Sequence, residues 1–250
     1  IGIKNARGNT IIRMDGHATY SVDYVQKCLE FLNKTDADSV GGPMRAVGTD
    51  YISNAIAFVH NSPFGLGGGK FHDEKWEGEV DTPYLECWPR RVFDKIGLFD
   101  ERLIRNQDIE FDSRIRKNGG KIFQTPEIKS YYYCRSNLVG LWDQNYKNGL
   151  WGIKTIKITP GSLSLRHFVP LLFVLGLFTG WVITPIWLAI VGSYILCNAY
   201  FSLMIAMKNG VKYFFIVPVV FLILHLSYGL GSLVAIFNAI RGDSLTASAK

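Results

Sequence analysis

Asp15-Gly16-His17 sets a carboxylate and an imidazole two residues apart, with a glycine between them that lets a ligand approach the backbone. Such a pair can grip a divalent cation carrying a diphosphate. Hard cations such as Mg2+ prefer oxygen, and the imidazole tilts the preference towards Mn2+ without excluding Mg2+. A plain turn whose aspartate caps nearby amides accounts for the same tripeptide. A second concentration of acids lies in Asn106-Gln107-Asp108-Ile109-Glu110-Phe111-Asp112. Asp108 falls in the first turn of an expected helix, where the helix dipole favours a charged carboxylate. A carboxylate held there can take the proton of an attacking hydroxyl. Glu110 with Arg114 and Asp112 with Arg116 are spaced i,i+4, an arrangement worth about 0.2–0.5 kcal/mol per pair on a helix surface. Asp108 has no basic residue at that spacing. Gly65-Leu-Gly-Gly-Gly69 invites a phosphate-loop reading but lacks the Lys-Ser/Thr that would complete it, so a mobile loop over a substrate is expected.

These residues need a scaffold. Thr10 to Met14 has strand composition and runs into the Asp15 turn. Ser21 would cap a helix with the apolar stripe Val22, Val25, Leu29 and Leu32, ending near Asn33. Asp38 to Gly42 reads as a buried strand, Tyr51 to His60 as a helix, Thr82 to Cys87 as a strand, and Pro89 to Ile96 as a short helix begun by proline. A helix from Gln107 to Lys117 should stop at Asn118-Gly119-Gly120. Lys121 to Gln124 and Lys129 to Cys134 are strand candidates. Strands alternating with helices predict an α/β layered domain.

The chain has 250 residues and a formal charge of +6, and it is two materials joined end to end. Residues 1–167 hold 23 of the 27 Lys+Arg and 20 of the 21 Asp+Glu. Phe168 to Met207 contains no Asp, Glu, Lys, Arg or His, and Tyr213 to Ile240 contains only His225. A span needs about 20 apolar residues, so the composition predicts three, at about 168–183, 185–207 and 213–240, with Thr184-Pro185 as the first break. A wholly soluble protein and a disordered one are both excluded. Lys154, Lys157 and Arg166 before the first span, and Lys208 with Lys212 after the second, put the α/β domain on the cytoplasmic side of an inner membrane and the C-terminus outside; Arg241 and Lys250 weakly oppose that last step. His225 is either a relay within the bilayer or a neutral side chain bonding a neighbouring helix. Gly229 and Gly231 would allow close helix packing. Residues 137–157 mix aromatics with lysines, as an interfacial amphipathic segment does; an aromatic wall for a sugar ring is the alternative. The expected divisions are 1–136, 137–167 and 168–240. Four scattered cysteines argue for reduced thiols, and the small net charge gives no case for nucleic acid.

Arg13-Met-Asp15-Gly-His17-Ala, Val40-Gly-Gly-Pro, Phe93-Asp-Lys-Ile-Gly-Leu-Phe-Asp100-Glu101, and Asn106-Gln-Asp108-Ile-Glu110-Phe-Asp-Ser-Arg114-Ile-Arg116-Lys-Asn-Gly-Gly120, in that order, resemble family 2 glycosyltransferases. The likeness is to the membrane-anchored enzymes of succinoglycan-type exopolysaccharide synthesis. It implies a partial GT-A (Rossmann-like) domain followed by transmembrane helices, and inverting transfer of a hexose from a nucleotide sugar, a UDP-hexose, to a lipid-linked or polysaccharide acceptor. By that resemblance Asp15 and His17 hold Mn2+ or Mg2+, with His17 where an acid is usual. Asp108 is the catalytic base, and Asp15, Arg114 and Arg116 face the donor. Phe99, Asp100, Glu101, Glu110 and Trp88 stand on the acceptor side. Gln144 to Trp151 matches the processive Gln-x-x-Arg-Trp only loosely, so a processive polymerase is not expected. The family's opening strand, its Pro-x-x-Asn-Glu stretch and its uracil-holding acid have no counterpart before Asp15, and Ile1 to Arg7 looks like the helix that follows them; the chain is expected to be a piece of something longer. A catalytically silent membrane scaffold of a glycan-assembly complex is the alternative. A small channel has little support, since the expected spans show no pattern of polar residues.

Overall fold

A computed structural model describes residues 1–242 of the chain; Lys250, counted above among the flanking charges, lies outside the described residues. In chain order the elements are α1 (Gly2–Asn5), β1 (Thr10–Ile12), β2 (Ala18–Tyr20), α2 (Tyr24–Thr35), β3 (Ser39–Gly42), β4 (Arg45–Val47), α3 (Tyr51–His60) and α4 (Pro63–Leu66). There follow β5 (Gly78–Glu79), β6 (Tyr84–Pro89), α5 (Arg90–Ile96), α6 (Gln107–Lys117), β7 (Ile122–Gln124) and β8 (Ser130–Tyr133). The last are α7 (Leu138–Ile158), α8 (Val169–Thr179), α9 (Thr184–Asn209) and α10 (Ile216–Arg241). They form two compact units. The first comprises residues 1–46, 68–102 and 107–133, and the second comprises 47–67, 103–106 and the chain from Cys134 onward.

The first unit is α/β. Its five-stranded sheet has the order β1-β6-β3-β7-β5, with β3 and β7 parallel and every other pair antiparallel. A three-stranded sheet has the order β2-β8-β4. The central strand β3 is buried along its whole length, as a strand covered on both faces must be, and Gly42 lies so close to the Ile128 carbonyl that a Cβ would overlap it. One core gathers Tyr24, Cys28, Phe31, Leu32, Val40, Cys87 and Ile128. The other gathers Trp88, Val92, Phe93, Phe111, Ile115 and Ile122.

Helix α2 corrects the sequence reading in detail. It begins at Tyr24, with Asp23 rather than Ser21 at the N-cap position, and it buries Tyr24, Cys28, Phe31 and Leu32. The expected stripe is rotated by one position, since Val22, Val25 and Leu29 are all exposed. Both stripes satisfy helical periodicity. The one carrying two aromatic rings removes more apolar area from water and takes the core.

The second unit is helical. The most covered of its membrane-length apolar segments, α10, packs on α7, α8, α3 and α9, and contact with α7 is close because Gly149 and Gly231 each face the other helix's backbone without a side chain. Helix α3 is held at its start by a capping box between Asp50 and Ser53. Its Ala55, Ile56 and Val59 join Tyr213, Val217, Val220, Phe221 and Leu224 in one apolar cluster. A second cluster in this unit seats Leu103 against Leu150, Trp151 and Ala235.

Three segments are long and apolar enough to cross a membrane: Leu165–Val182, Thr184–Asn209 and Ile216–Arg241. The first combines the 11 residues of α8 with flanking 3₁₀ turns at Leu165–Phe168 and Gly180–Val182. At about 1.5 Å per α-helical and about 2.0 Å per 3₁₀ residue that path is roughly 30 Å, the thickness of a hydrocarbon core. Pro185 sits in the first turn of α9, where its missing N–H costs nothing. Within this unit His225 accepts from the Tyr194 hydroxyl at Nδ1 (3.1 Å), while its Nε2–H donates to the carbonyls of Phe64 (2.8 Å) and Gly65 (3.3 Å). The Phe64 ring packs on Phe201, Phe221 and His225. Residues expected to open a mobile loop are therefore a fixed helical turn, since two of its carbonyls find a donor on α10.

Candidate active site

The candidate residues before β2 and at the head of α6 belong to the first unit and meet through one side chain. The turn Asp15-Gly16-His17 joins β1 to β2, and Tyr20 ties it shut: its hydroxyl accepts from the Asp15 N–H (2.5 Å) and donates to the Asp15 carbonyl (3.1 Å). Arg13 forks onto the Asp15 carboxylate, Nε to Oδ1 at 2.9 Å and Nη2 to Oδ2 at 3.2 Å. Its remaining nitrogen, Nη1, donates to Asp108 Oδ2 at 3.3 Å, across 95 residues of sequence. The other Asp108 oxygen accepts from the Ile109 N–H at 2.9 Å. Asp108 is thus held at both oxygens while its side chain stays 41% exposed, which leaves it open to a substrate. His17 is exposed, with its ring edge against Tyr132.

Burial works against charge on Arg13, but Asp108, Asp15 and Glu86 more than offset it, so the guanidinium's proton affinity is raised. Directly behind lie two further acids. Glu86 on β6 and Asp112 on α6 are fully enclosed. Glu86 accepts a very short hydrogen bond from the Ser39 hydroxyl. Asp112 makes no hydrogen bond of good geometry at either oxygen; its polar neighbours are the Glu86 carboxyl and the Thr82 hydroxyl. Loss of water pushes Glu86 up to about 7 and raises Asp112 as well, with mutual repulsion adding to the effect on Asp112. The pair therefore retains protons that an exposed pair would release.

The remaining candidates sort by what they touch. Arg114 is occupied on all sides: it chelates Glu110 (2.8 and 2.9 Å) and donates to the carbonyls of Ile96 and Leu98 (2.7 and 2.8 Å). It joins α6 to the end of α5, and Glu110 is buried beneath it. Asp112 does not form the expected helix-surface pair with Arg116. It turns into the core towards Glu86, and Arg116 is exposed. Trp88 is enclosed by Phe93, Phe99 and Phe111. Asp100 is chelated by Arg102, which holds its carboxyl down at about 2, and Glu101 is exposed. Arg13 and Glu86 are the participants that sequence reasoning left without a role. Arg13 stood in the Asp15 motif, two residues upstream, and that proximity was the available signal.

Among the described residues no three His, Cys, Asp or Glu side chains converge as a cation cage. Mg2+ is ordinarily held by one or two protein groups together with substrate phosphates and water. A carboxylate and an imidazole from one turn fit that share, since each Asp15 oxygen keeps a lone pair beyond its bond to Arg13.

The mixed α/β sheet carries an open carboxylate, Asp108, joined through Arg13 to the Asp15 turn, and comparison with known proteins gives the class of enzyme. Residues 1–82 match the family described as glycosyl transferase family 2, and together with the relatives that follow, this match makes the chain a glycosyltransferase. It is similar to the succinoglycan biosynthesis protein ExoA of Rhizobium meliloti (strain 1021), with 28% identity over 90% of this chain and 69% of that protein. It is also similar to a dolichyl N-acetyl-alpha-D-glucosaminyl phosphate 3-beta-D-2,3-diacetamido-2,3-dideoxy-beta-D-glucuronosyltransferase of Methanococcus voltae, with 24% identity over 91% of this chain and 71% of that protein.

Proposed function

We propose that the protein moves a hexose from a UDP-sugar to a lipid-linked acceptor in exopolysaccharide or other cell-surface glycan synthesis, with inversion at the anomeric carbon. The observation that carries this reading is Asp108: an open carboxylate fixed at both oxygens and linked through Arg13 to the turn proposed to receive the diphosphate. The acceptor hydroxyl oxygen attacks the anomeric carbon as the bond to the diphosphate breaks. Asp108 takes the hydroxyl proton, and UDP departs with the electron pair. Asp15 and His17 would hold Mn2+ or Mg2+, which when bound neutralises charge on the leaving diphosphate. Asp100 and Glu101 would meet the acceptor. Arg116, exposed on α6, is the better placed of the two arginines to reach a donor, because Arg114 is committed to Glu110 and to backbone carbonyls.

The reading places residues 1–136 in the cytoplasm, 137–167 along the interface and 168–240 in an inner membrane. The flanking lysines and arginines support that orientation, and the names of the relatives, one of succinoglycan biosynthesis and one acting on a dolichyl-linked sugar phosphate, support a glycan pathway with a lipid-linked acceptor. An acceptor anchored in the same bilayer would meet the site at raised effective concentration.

The test is transfer of label from radioactive UDP-hexoses into the lipid extract of membranes carrying the protein, with Mn2+ or Mg2+, beside the Asp108→Asn variant. Labelled lipid that falls about 10²–10⁴-fold in the variant supports the reading. Full transfer by the variant removes Asp108 as base. No transfer from any nucleotide sugar by folded, membrane-inserted protein would favour a silent scaffold.

A further inference from the structure

The proposed base has a second attachment that the reaction, as written, does not use. Arg13 stands just beyond β1, and its backbone N–H donates to the Glu86 carbonyl at 3.0 Å. This carries the β1–β6 pairing past Ile12 and fixes where the side chain starts. Nε and Nη2 are spent on Asp15, and Nη1 on Asp108. The guanidinium is planar and rigid, so fixing two nitrogens on one carboxylate fixes the third nitrogen in space. The Ile109 amide secures the other Asp108 oxygen. Between them, the amide and the arginine determine which way the Asp108 carboxylate faces.

Stability is a poor reason for this arrangement. The Arg13–Asp108 pair is exposed by 37% and 41% at its two side chains, and pairs so wet contribute about 0–1 kcal/mol. Orientation is worth far more, because misplacing a reacting group by about 1 Å can cost about 100-fold in rate.

We infer that Arg13 is a positioning residue: it orients Asp108 for proton transfer while bracing the Asp15 turn. The inference rests on Asp108 being the base. It also makes a directional claim about the donor. Removing Arg13 leaves Asp15 free of its ion pair, so affinity for the nucleotide sugar should hold or improve while turnover falls.

The experiment is steady-state transfer by Arg13→Ala, Arg13→Lys and Asp108→Asn in membranes, with thermal unfolding of each variant. For Arg13→Ala the expected result is kcat down about 10–100-fold, donor KM unchanged or lower, and an unfolding midpoint close to that of the parent. Added guanidinium ion should raise its rate and leave Asp108→Asn unaffected. Arg13→Lys should recover part of kcat, because one ammonium reaches one carboxylate but cannot fork both. A higher donor KM with kcat intact would overturn the inference and make Arg13 a phosphate contact. Unchanged kinetics in Arg13→Ala would overturn it as well. If Asp108→Asn is inactive in either case, the proposed base survives and only the role of Arg13 falls. If Asp108→Asn is active, the base falls first and the inference with it.

Discussion

Two pairs of carboxyl groups sit in the same α/β unit and behave in opposite ways. Asp15 and Asp108 stand in partial contact with water, share one guanidinium, and are oriented by it. Glu86 and Asp112 lie directly behind, dry, without a salt-bridge partner among the described residues, and retain protons through the loss of solvent. The chemical groups are the same and only the surroundings differ. Enclosure raises the proton affinity of a carboxyl, as it does for Glu86 and Asp112. The wet pair keeps its access to solvent, and the dry pair lies enclosed on β6 and α6.

The contrast can be broken most forcefully by exchanging amides for acids in turn. Asp108→Asn is expected to lower transfer by about 10²–10⁴-fold, while Asp112→Asn, which keeps the shape of a protonated acid, should cost less than about tenfold. Equal losses measured in the same membranes would erase the distinction.

Arg114→Ala comes next. It strands the enclosed Glu110 carboxylate and should destabilise the α/β unit by about 3–5 kcal/mol, read as a large fall in the unfolding midpoint. A small fall would return Arg114 to the donor side.

Glu86→Gln sharpens the comparison through pH. A carboxyl whose proton affinity is higher folded than unfolded makes the folded state bind more protons between the two values. Stability must then fall as pH rises from about 4.5, the ordinary value, through about 7. The glutamine variant should remove about 3 kcal/mol of that decline, seen as a flatter plot of unfolding free energy against pH over this window. A decline as steep as the parent's would show that Glu86 is ionised throughout.

The smallest effect is expected at Arg102→Ala. Its chelation of Asp100 is 69% exposed at the arginine, and loss of the pair should change stability by no more than about 1 kcal/mol. A measurable loss of acceptor affinity in that variant would support a substrate role for Asp100.

How much of this was legible depended on where each signal came from. Helix α6 was read to its bounds, because Asn118-Gly119-Gly120 ends it locally and no neighbour is needed to recognise the stop. The three segments long and apolar enough to cross a membrane are legible because a run without charge is itself the observation. Helix α3 reads as a helix from Tyr51 to His60, and its neighbours are not in the reading. A stretch of 10 residues with buried Ala55, Ile56 and Val59 says that it is covered, while the sequence is silent on whether strands or membrane helices do the covering. Asp112 was misread because i,i+4 pairing assumes an exposed face, and its face is turned inward. Asp15 and Asp108 were both selected as chemistry. Their link through Arg13 crosses 95 residues, and no local pattern encodes such a distance.

One consequence follows from the bond between His225 and the turn after α3. With Nε2–H committed to the Phe64 and Gly65 carbonyls and Nδ1 receiving the Tyr194 hydroxyl, the imidazole is confined to one tautomer. A ring so confined makes a poor wire, since a proton entering one side could leave the other only by surrendering the bonds that anchor it. It makes a good rivet. It fastens a bend of main chain, whose own carbonyls lack a helical partner, to an apolar helix that has almost nothing else to offer them.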